Sequence, residues 1–511
     1  MKRMICGLLC AVLCVSLLGC TQEDAYTPTG DGLTWEEDYT GPVYTRPNDG
    51  SQQELTLTYY PDKSMNPLQS MDFTNRALFS LIYQSLFVVD RDYNVFPVLC
   101  KSYQVSEDMK TYTFYPDNAT FSDGSALTVY DVLATLQAAK ESEVYSGRFL
   151  HVTDIALSPG GGVAIVMDTP CADLPILLDI PILKQDQLEY AYPLGTGPYI
   201  LQTGSAAQLR RRTDWWCKAD LAVTAPAITL IEAQSNTQIR DQFEFADLDL
   251  VCADPGSDKY TDYRCDFELW DCENGIFLYL SCNLTGTVFS DENVRASLTY
   301  AIDRDTIVDD NYRGFARSAT LPASPLSPYY STVLAEKYGY DREKFDQAVL
   351  DAGMVGAPLI FVVNSEDSLR VRIAREISKS LTQAGFVVDL REKSGESYRY
   401  AISTRDYDLY LGQTKLSANM DLSSFFSSSG SLSYGGISDV SMYALCMESL
   451  ANEGNYYTLH RTVMEDGRIC PILFRSYAVY ATRGLLTDLT PSRDNVFFYT
   501  LGRTMDNAKL S

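Results

Sequence analysis

The side chains that most often carry out chemistry are sparse in this chain of 511 residues. It has only two histidines, His151 and His460, and it contains neither a His-Glu-x-x-His motif nor a Gly-x-Ser-x-Gly motif. Its 13 cysteines include no Cys-x-x-Cys pair, so a zinc or redox centre has little support. The sequence therefore predicts that the protein is not an enzyme and has no catalytic residues, no metal and no cofactor.

The cysteines beyond the first twenty residues are odd in number, so they cannot all form disulfides. Several have the surroundings of small buried residues, such as Cys282 after the apolar run 277–280. One or two disulfides could form within the group 252–282, and the sequence does not assign partners. The cysteines concerned are Cys100, Cys171, Cys217, Cys252, Cys265, Cys272, Cys282, Cys446 and Cys470.

The formal net charge is -26, from 67 acidic and 41 basic residues. A surface of this charge repels phosphate backbones and anionic membranes, and the densest basic cluster is Arg210–Arg212. We therefore expect no nucleic acid partner, and any membrane association needs an anchor. The length suggests two or three domains, and 46% hydrophobic and 21% charged residues are typical of a globular protein.

The first residues supply such an anchor. Lys2 and Arg3 precede an apolar run, 4–18, which leads into Leu-Leu-Gly-Cys at Cys20. This spacing predicts a lipoprotein signal peptide over residues 1–19, with lipid attachment at Cys20. A plain secretory signal with a chance cysteine is the alternative. The acidic, Pro- and Gly-containing segment 20–53 is then a flexible tether.

Local patterns predict mixed α/β structure. Residues 54–60 alternate between apolar and polar and indicate a strand. Thr128 and Asp131 have the spacing of a capping box at the start of a helix. Strand, helix and strand over 359–390 indicate a βαβ unit. The serine-rich stretch 423–433 is interpreted as a surface loop.

An amphipathic helix is predicted from Asn293, with apolar residues at helical spacing and Asp291 before it as a cap. An Asp-Arg-Asp sequence, 303–305, can end this helix and cap the next, predicted from Thr306. As a string, 293–308 resembles the most recognisable segment of the family 5 extracellular solute-binding proteins, the peptide- and nickel-type lipoproteins of ABC importers.

Further segments resemble this family in the same order along the chain. In Gly-Thr-Gly-Pro-Tyr at 195–199 the two glycines are interpreted as residues that permit positive φ, and Pro198 as fixing the exit into a strand. A phosphate-binding loop is the competing interpretation, but neither a lysine nor a helix pattern follows. The other segments are 95–99, 119–128, 212–216 and 340–353.

The resemblance implies an α/β, two-lobed periplasmic-binding-protein-like fold of type II, in the large variant with an extra small domain. Its implied limits are residues 54–80, 193–275 and 485–511 for lobe I, residues 81–192 for the extra domain, and residues 276–484 for lobe II. A ligand is expected to bind between the lobes as they close about a hinge.

In the family's peptide-binding branch, an aspartate pairs with the ligand's α-amine. Counting from Tyr-Asp-Leu at 407–409 places this position at Ser417, and counting back from Asp421 places it at Ala418, so neither is charged. The preceding tryptophan position falls on Thr414 or Lys415. Asp421 could replace the aspartate from a shifted loop, and Lys415 could face an anionic ligand or be a solvated loop residue. The predicted ligand-binding residues are Asn66, Thr414, Lys415, Ser417, Asn419 and Asp421.

The expected function is that of a monomeric, lipid-anchored receptor on the extracytoplasmic face of the membrane. It would capture a small ligand, an oligopeptide in the first place, and deliver it to an ABC permease and ATPase complex. The alternatives are a surface sensor or adhesin for a non-peptide ligand, and a lipid-anchored glycoside hydrolase with paired carboxylates.

Overall fold

The computed structural model describes residues 33–34, 55–204, 206–257, 260, 262–286, 288–486 and 488–510. The predicted signal peptide, Cys20 and all of the predicted tether except 33–34 lie outside the described residues. No helix of the described part has both the length and the apolar character needed to cross a bilayer.

The strands follow one another from the tether to the C-terminal region. They are β1 Leu33–Thr34, β2 Leu55–Tyr59, β3 Phe87–Val89, β4 Val95–Pro97, β5 Cys100–Val105, β6 Thr111–Pro116, β7 Val152–Leu157, β8 Val163–Met167, β9 Tyr199–Gln202, β10 Ala207–Arg211, β11 Ala227–Glu232, β12 Leu250–Ala253, β13 Phe267–Cys282, β14 Ala316–Ser318, β15 Pro358–Asn364, β16 Val387–Lys393, β17 Leu409–Lys415 and β18 Ile469–Thr482.

The helices concentrate in the second half of the chain. They are α1 Phe73–Ala77, α2 Phe79–Ile82, α3 Val129–Glu141, α4 Asn236–Glu244, α5 Glu292–Ser297, α6 Arg304–Tyr312, α7 Thr332–Ala335, α8 Arg342–Asp351, α9 Ser368–Gln383, α10 Gly395–Ser403, α11 Ser423–Phe426, α12 Val440–Ala451, α13 Tyr456–Asp466 and α14 Met505–Ala508. Short 3₁₀ helices lie at Ser146–Phe149, Leu174–Leu177, Gln185–Gln187, Leu298–Ala301, Glu336–Tyr338 and Glu453–Asn455.

Three sheets and a two-stranded ribbon organise these elements. The largest sheet has the order β12-β18-β13-β17-β15-β16, with β1 paired to β13 and β14 paired to β18. One four-stranded sheet has the order β2-β11-β10-β9, and the other has the order β5-β6-β8-β7. The second of these lies within the range predicted for the extra domain.

Two long antiparallel strands, β13 and β18, run through both halves of the largest sheet. Their register shifts between Glu273 and Phe277, around Gly275, whose φ of +73° favours glycine. On one side of this shift β18 pairs with β12, and on the other side β13 pairs with β17. The shift therefore marks a bend in the backbone that joins the two halves.

Several local predictions are confirmed. The first predicted strand is β2, and β15 and β16 pair in parallel around α9, as expected for a βαβ unit. The Thr128 hydroxyl accepts from the Asp131 backbone N–H, and the Asp131 carboxylate accepts in return, so the capping box is complete. The Asp291 side chain caps α5.

Four local predictions need correction. The helix predicted over the Asn293 segment tightens into a 3₁₀ turn after Ser297, and the next helix begins at Arg304, because Asp303 caps it. The glycines at 195 and 197 do not adopt positive φ. They are required because a Cβ atom at Gly195 would lie 2.0 Å from the Ile82 carbonyl oxygen.

The fourth correction concerns the serine-rich stretch. Its first part is the helix α11, and Phe425 and Phe426 are buried, because these two rings outweigh the polarity of the surrounding serines. The predicted burial of Cys282 is confirmed, and the nine cysteines named above are free thiols.

Candidate ligand-binding site

Strand β17 carries two of the predicted ligand-binding residues to the bend in the long strands. Thr414 pairs with Phe277, and Lys415 pairs with Ile276, next to the register shift of β13. Lys415, in the predicted lobe II, is thereby brought next to residues 493–494 of the C-terminal segment predicted for lobe I. Lys415 thus lies beside the bend that joins the two halves of the largest sheet.

The Lys415 ammonium donates to Asp494 at 2.5 Å, across the two predicted lobes. Its side chain keeps 44% of its surface open. Enough protein nevertheless surrounds the ammonium that desolvation lowers the pKa of Lys415 to about 8, against the opposing effect of Asp494. These two observations fit a group that lines an enclosed cleft.

Two further cations lie close to the Asp494 carboxylate. Its carboxylate lies 3.2 Å from the Arg76 guanidinium, and Arg493 contributes a third positive charge. Burial alone would raise the pKa of Asp494, but the charges of Lys415, Arg76 and Arg493 outweigh it and hold the pKa well below its usual range. The three cations therefore favour the ionised form of this carboxylate.

Arg493 connects the charged groups around Asp494 to the residues at the bend in β13. It donates to the Tyr93 hydroxyl and to the Leu416 carbonyl, each at 3.1 Å. Tyr93 in turn donates to Glu273 at 2.6 Å, and Ser324 donates to the other oxygen of Glu273 at 2.5 Å. Arg493 has a φ of +36°, an uncommon value for a residue with a side chain, so packing and hydrogen bonds hold its backbone there.

A cavity adjoins Asp494 on the side of lobe I and the extra domain. The centres of water molecules can occupy a volume of about 60 Å³ in this cavity, which is enough for a few waters. Its charged lining consists of Arg76, Arg148, Arg493, Asp179 and Asp494. Two lining atoms, Ser80 Oγ and Asn495 Oδ1, are buried without a hydrogen-bond partner in the protein.

The loop after β17 has few free polar groups. Ser417 donates to the Asn419 side chain at 2.7 Å, and the Asn419 carbonyl accepts from Tyr456. The Asp421 carboxylate accepts from the Ser423 backbone N–H at 2.8 Å and from the Ser423 hydroxyl at 2.9 Å. Of these predicted residues, Ser417 remains half-buried, whereas Asn419 and the Asp421 carboxylate are buried.

Asp421 also contacts the extra domain through His151. The His151 Nε2 atom lies 3.1 Å from Asp421 and 3.1 Å from Ser423 Oγ, and its Nδ1 atom lies 3.2 Å from Asp168. Burial alone would lower the pKa of His151, but Asp421 and Asp168 outweigh it and raise the pKa. His151 therefore bridges two carboxylates, one on each side of this interface.

The contacts from Ser423 to His151 and from His151 to Asp168 link a hydroxyl, an imidazole and a carboxylate, as in the serine-hydrolase triad. Ser423 is only 1% exposed, and its hydroxyl already lies within hydrogen-bond distance of Asp421. A substrate has no access to a nucleophile in this position, so the arrangement joins two domains. His460 is fully buried, and burial lowers its pKa to about 3.

A second contact lies beside His151 at the same interface. The Ala172 N–H donates to the Leu450 carbonyl at 2.8 Å. Burial, and then the charge of Glu453, raise the pKa of the neighbouring Asp173 to about 6. The interface between the extra domain and lobe II is thus rich in carboxylates.

Asn66 lies apart from both groups. Its side chain is fully buried and donates to the carbonyls of Leu188 and Tyr190 at 2.7 and 2.9 Å. Its oxygen accepts from the Leu68 N–H at 2.9 Å. The amide therefore joins lobe I to the end of the extra domain.

Sequence reasoning missed the partners of Lys415. Asp494 and Arg493 lie in a turn-like Pro-Ser-Arg-Asp-Asn segment, and Arg76 lies in a short helix, so nothing local marks them as binding residues. Among the described residues, no group of three or more His, Cys, Asp or Glu side chains could hold a metal ion.

This architecture defines a class of protein, the two-lobed binding proteins. The fold resembles an ABC transporter substrate-binding protein, CtaP, from Listeria monocytogenes, with a TM-score of 0.70, 19% identity, and coverage of 89% of this chain and 99% of that one. It also resembles NikA from Brucella suis in complex with Fe(III)-EDTA, with a TM-score of 0.67, 17% identity, and coverage of 87% and 98%.

The family follows from the sequence match. Residues 94–435 match the family described as bacterial extracellular solute-binding proteins, family 5 Middle. The chain belongs to this family, which comprises solute-binding proteins rather than enzymes. It is also 26% identical over 311 residues to the glutathione-binding protein GsiB of Salmonella typhi, across 57% of this chain and 59% of that protein. The chain thus matches about three fifths of the length of this curated relative.

Proposed function

We propose that the protein captures a small ligand, an oligopeptide in the first place, between lobes I and II and delivers it to an ABC permease. The observation that carries this proposal is Lys415, an accessible cation that spans from lobe II to Asp494 of lobe I beside the bend in β13. GsiB, by its name, binds glutathione, which is a tripeptide. A ligand of this size suits a cleft that closes on it.

The proposed hinge is the register shift in β13 together with the facing part of β18. Phe73 of α1 stacks on Tyr477 of β18 with their ring centroids 3.8 Å apart, so aromatic packing supports the bend. Rotation at this point would separate Lys415 from Asp494. We propose that the segments predicted for lobe I and those predicted for lobe II move as two units about this hinge.

The predicted residues take two kinds of role in this proposal. Thr414, Lys415 and Ser417 retain open surface and are proposed to contact the ligand. Asn66, Asn419 and Asp421 have side chains or carbonyls engaged within the protein, and we propose that they position the walls of the site.

Native mass spectrometry of the chain from Thr21 onward, purified without denaturant, tests capture without a guess about the ligand. A ladder of bound masses that fragments into amino acids is the expected result. A single non-peptide mass would retain the binding function and reject the peptide. The proposal would be contradicted if the purified protein carried no bound ligand and if no small molecule in a thermal-shift panel stabilised it.

The membrane anchor is proposed from the sequence alone. Cys20 would carry the lipid and keep the receptor, as a monomer, beside the permease and its ATPase on the extracytoplasmic face. Cys20→Ala should move the protein from the membrane fraction to the soluble fraction, with Cys6→Ala as the matched control. Retention of Cys20→Ala in the membrane fraction would contradict the anchor.

A further inference from the structure

We infer that this site selects its ligand through an anionic group, bound at Lys415, and does not require an amine on the ligand. The inference rests on the proposed function, because it names the ligand chemistry of the same cleft. It reverses the expectation that a family aspartate holds the α-amine of a peptide.

The first argument is the local charge. Around Asp494, three cations (Arg76, Lys415 and Arg493) face one carboxylate. Glu273, bound to Tyr93, and the Arg148–Asp179 ion pair also lie nearby, and with them the group has four cations and three carboxylates. The whole chain has 67 acidic and 41 basic residues, so a cationic excess here runs against its composition. Such a local excess attracts an anion and repels an ammonium.

The second argument is the binding capacity of Lys415. An ammonium has three donors, and the structure shows one hydrogen bond from Lys415, to Asp494. With 44% of its side chain open, Lys415 can donate to a ligand without giving up Asp494. Arg76, on the other side of Asp494, donates to the Ser70 carbonyl at 3.2 Å and retains further N–H groups. The Arg76 side chain is only 9% exposed, so Arg76 holds Asp494 in place while Lys415 is the cation that a ligand can reach.

The third argument is the lack of a carboxylate for an amine on the lobe II wall. Between residues 414 and 421 the acidic side chain is Asp421, and its oxygens already bind Ser423 and His151. Only 8% of its side-chain surface is open. Asp494 itself is surrounded by cations, so an incoming ammonium would face all three of them. An anionic group meets no such opposition.

Three matched peptides test the inference: acetyl-trialanine has a carboxylate and no amine, trialanine amide has an amine and no carboxylate, and acetyl-trialanine amide has neither. They are offered together to the ligand-free chain from Thr21 onward, and the retained masses are measured by native mass spectrometry. We expect acetyl-trialanine to be retained at least about tenfold over the other two. Lys415→Met should lose this preference, Lys415→Arg should keep most of it, and Lys379→Met on the exposed face of α9 should not change it.

A second measurement needs no variant. Binding of an anion should raise the pKa of Lys415 from about 8, so acetyl-trialanine should bind with proton uptake near pH 8. Calorimetry in two buffers of different ionisation enthalpy measures this uptake.

Retention of trialanine amide equal to or above that of acetyl-trialanine would overturn the inference and leave capture of peptides intact. No retention of acetyl-trialanine at about 1 mM would also overturn it. In that case the masses that co-purify with the protein decide separately whether the proposed function stands.

Discussion

Lobe II meets the rest of the molecule at two interfaces of opposite character. The cation-rich interface, made by Lys415, Arg76, Arg493 and Asp494, lies beside the bend in β13. The carboxylate-rich interface, made by His151, Asp168, Asp421, Asp173 and Glu453, joins lobe II to the extra domain. The first contains an open lysine, whereas His151 and Asp421 of the second are each only 8% exposed.

This difference assigns the two interfaces different tasks. In the carboxylate-rich interface His151 and Asp421 are buried and bind each other, so this pair cannot accept a ligand, whereas Asp168 is 52% exposed. A charged group that remains open, and is not fully satisfied, can accept one. The cation-rich interface is therefore the proposed ligand site, and the carboxylate-rich interface is a contact between the predicted extra domain and the predicted lobe II.

The largest predicted effect comes from removing the shared carboxylate of the cation-rich interface. Asp494→Ala leaves Arg76 and Lys415 without their common partner, and we expect the free energy of unfolding to fall by about 3–5 kcal/mol. Urea denaturation measures the change. Asp346→Ala, which removes an exposed helical ion pair, should cost less than about 1 kcal/mol. Equal losses for the two variants would contradict the central role of Asp494.

The next effect breaks the carboxylate-rich interface. Asp421→Ala leaves His151 Nε2 and the Ser423 N–H without their acceptor, and it should destabilise the protein by about 1–3 kcal/mol. The pKa of His151 should fall, and NMR can follow it, since the only other histidine is buried His460. Any loss of affinity for the co-purified ligand should be smaller than that of Lys415→Met, because Asp421 positions a wall of the site and does not contact the ligand. A loss of affinity as large as that of Lys415→Met, without loss of stability, would place Asp421 in the ligand site.

The pH dependence of stability sharpens the comparison further. The folded-state pKa of Asp173 is raised from 3.8 to about 6, so the folded protein retains a proton that the unfolded chain releases in this window. Stability should therefore fall as pH rises through about 4 to 6, and the raised pKa of His151 adds a further fall above about pH 6.5.

Asp173→Asn should remove the lower part of this fall and stabilise the protein at pH 7 by roughly 1–2 kcal/mol. Thermal melts across the pH range check both statements. If the stability of the wild type instead rose between pH 4 and 6, and rose less in Asp173→Asn, the pKa of Asp173 would be lowered by folding. That result would contradict the raised pKa.

The smallest effect on stability is expected at the proposed ligand contact. Lys415→Met should change the free energy of unfolding by less than about 1 kcal/mol, because the ion pair is partly open and Asp494 retains Arg76. Its effect should appear in ligand affinity instead. A loss as large as that of Asp494→Ala would make Lys415 a structural residue.

Local signals predicted much of the fold. The alternating pattern of β2, the capping box of α3 and the βαβ order of β15, α9 and β16 act over short distances, so the sequence displays them directly. The family assignment followed from segments that lie in a fixed order. The glycine at 195 was recognised as necessary for the wrong reason, because the close approach to Ile82 depends on tertiary structure.

Of the cation-rich interface, only Lys415 was named from the sequence. Lys415 could be named because the resemblance fixed the position of β17. Its partner Asp494 lies 79 residues further along the chain, and Asp421 and His151 lie 270 residues apart. No pattern in one sequence connects residues at such separations. The helix α11 was not predicted either. The burial of its two phenylalanines depends on tertiary packing, and the serines around them indicated a loop.

A crystal structure of the protein purified with its own ligand tests the central claim most directly. The account predicts ligand density between β17 and residues 492–495, with an anionic group of the ligand within hydrogen-bond distance of Lys415. Ligand density away from Lys415, or an ammonium of the ligand paired with Asp421, would contradict it.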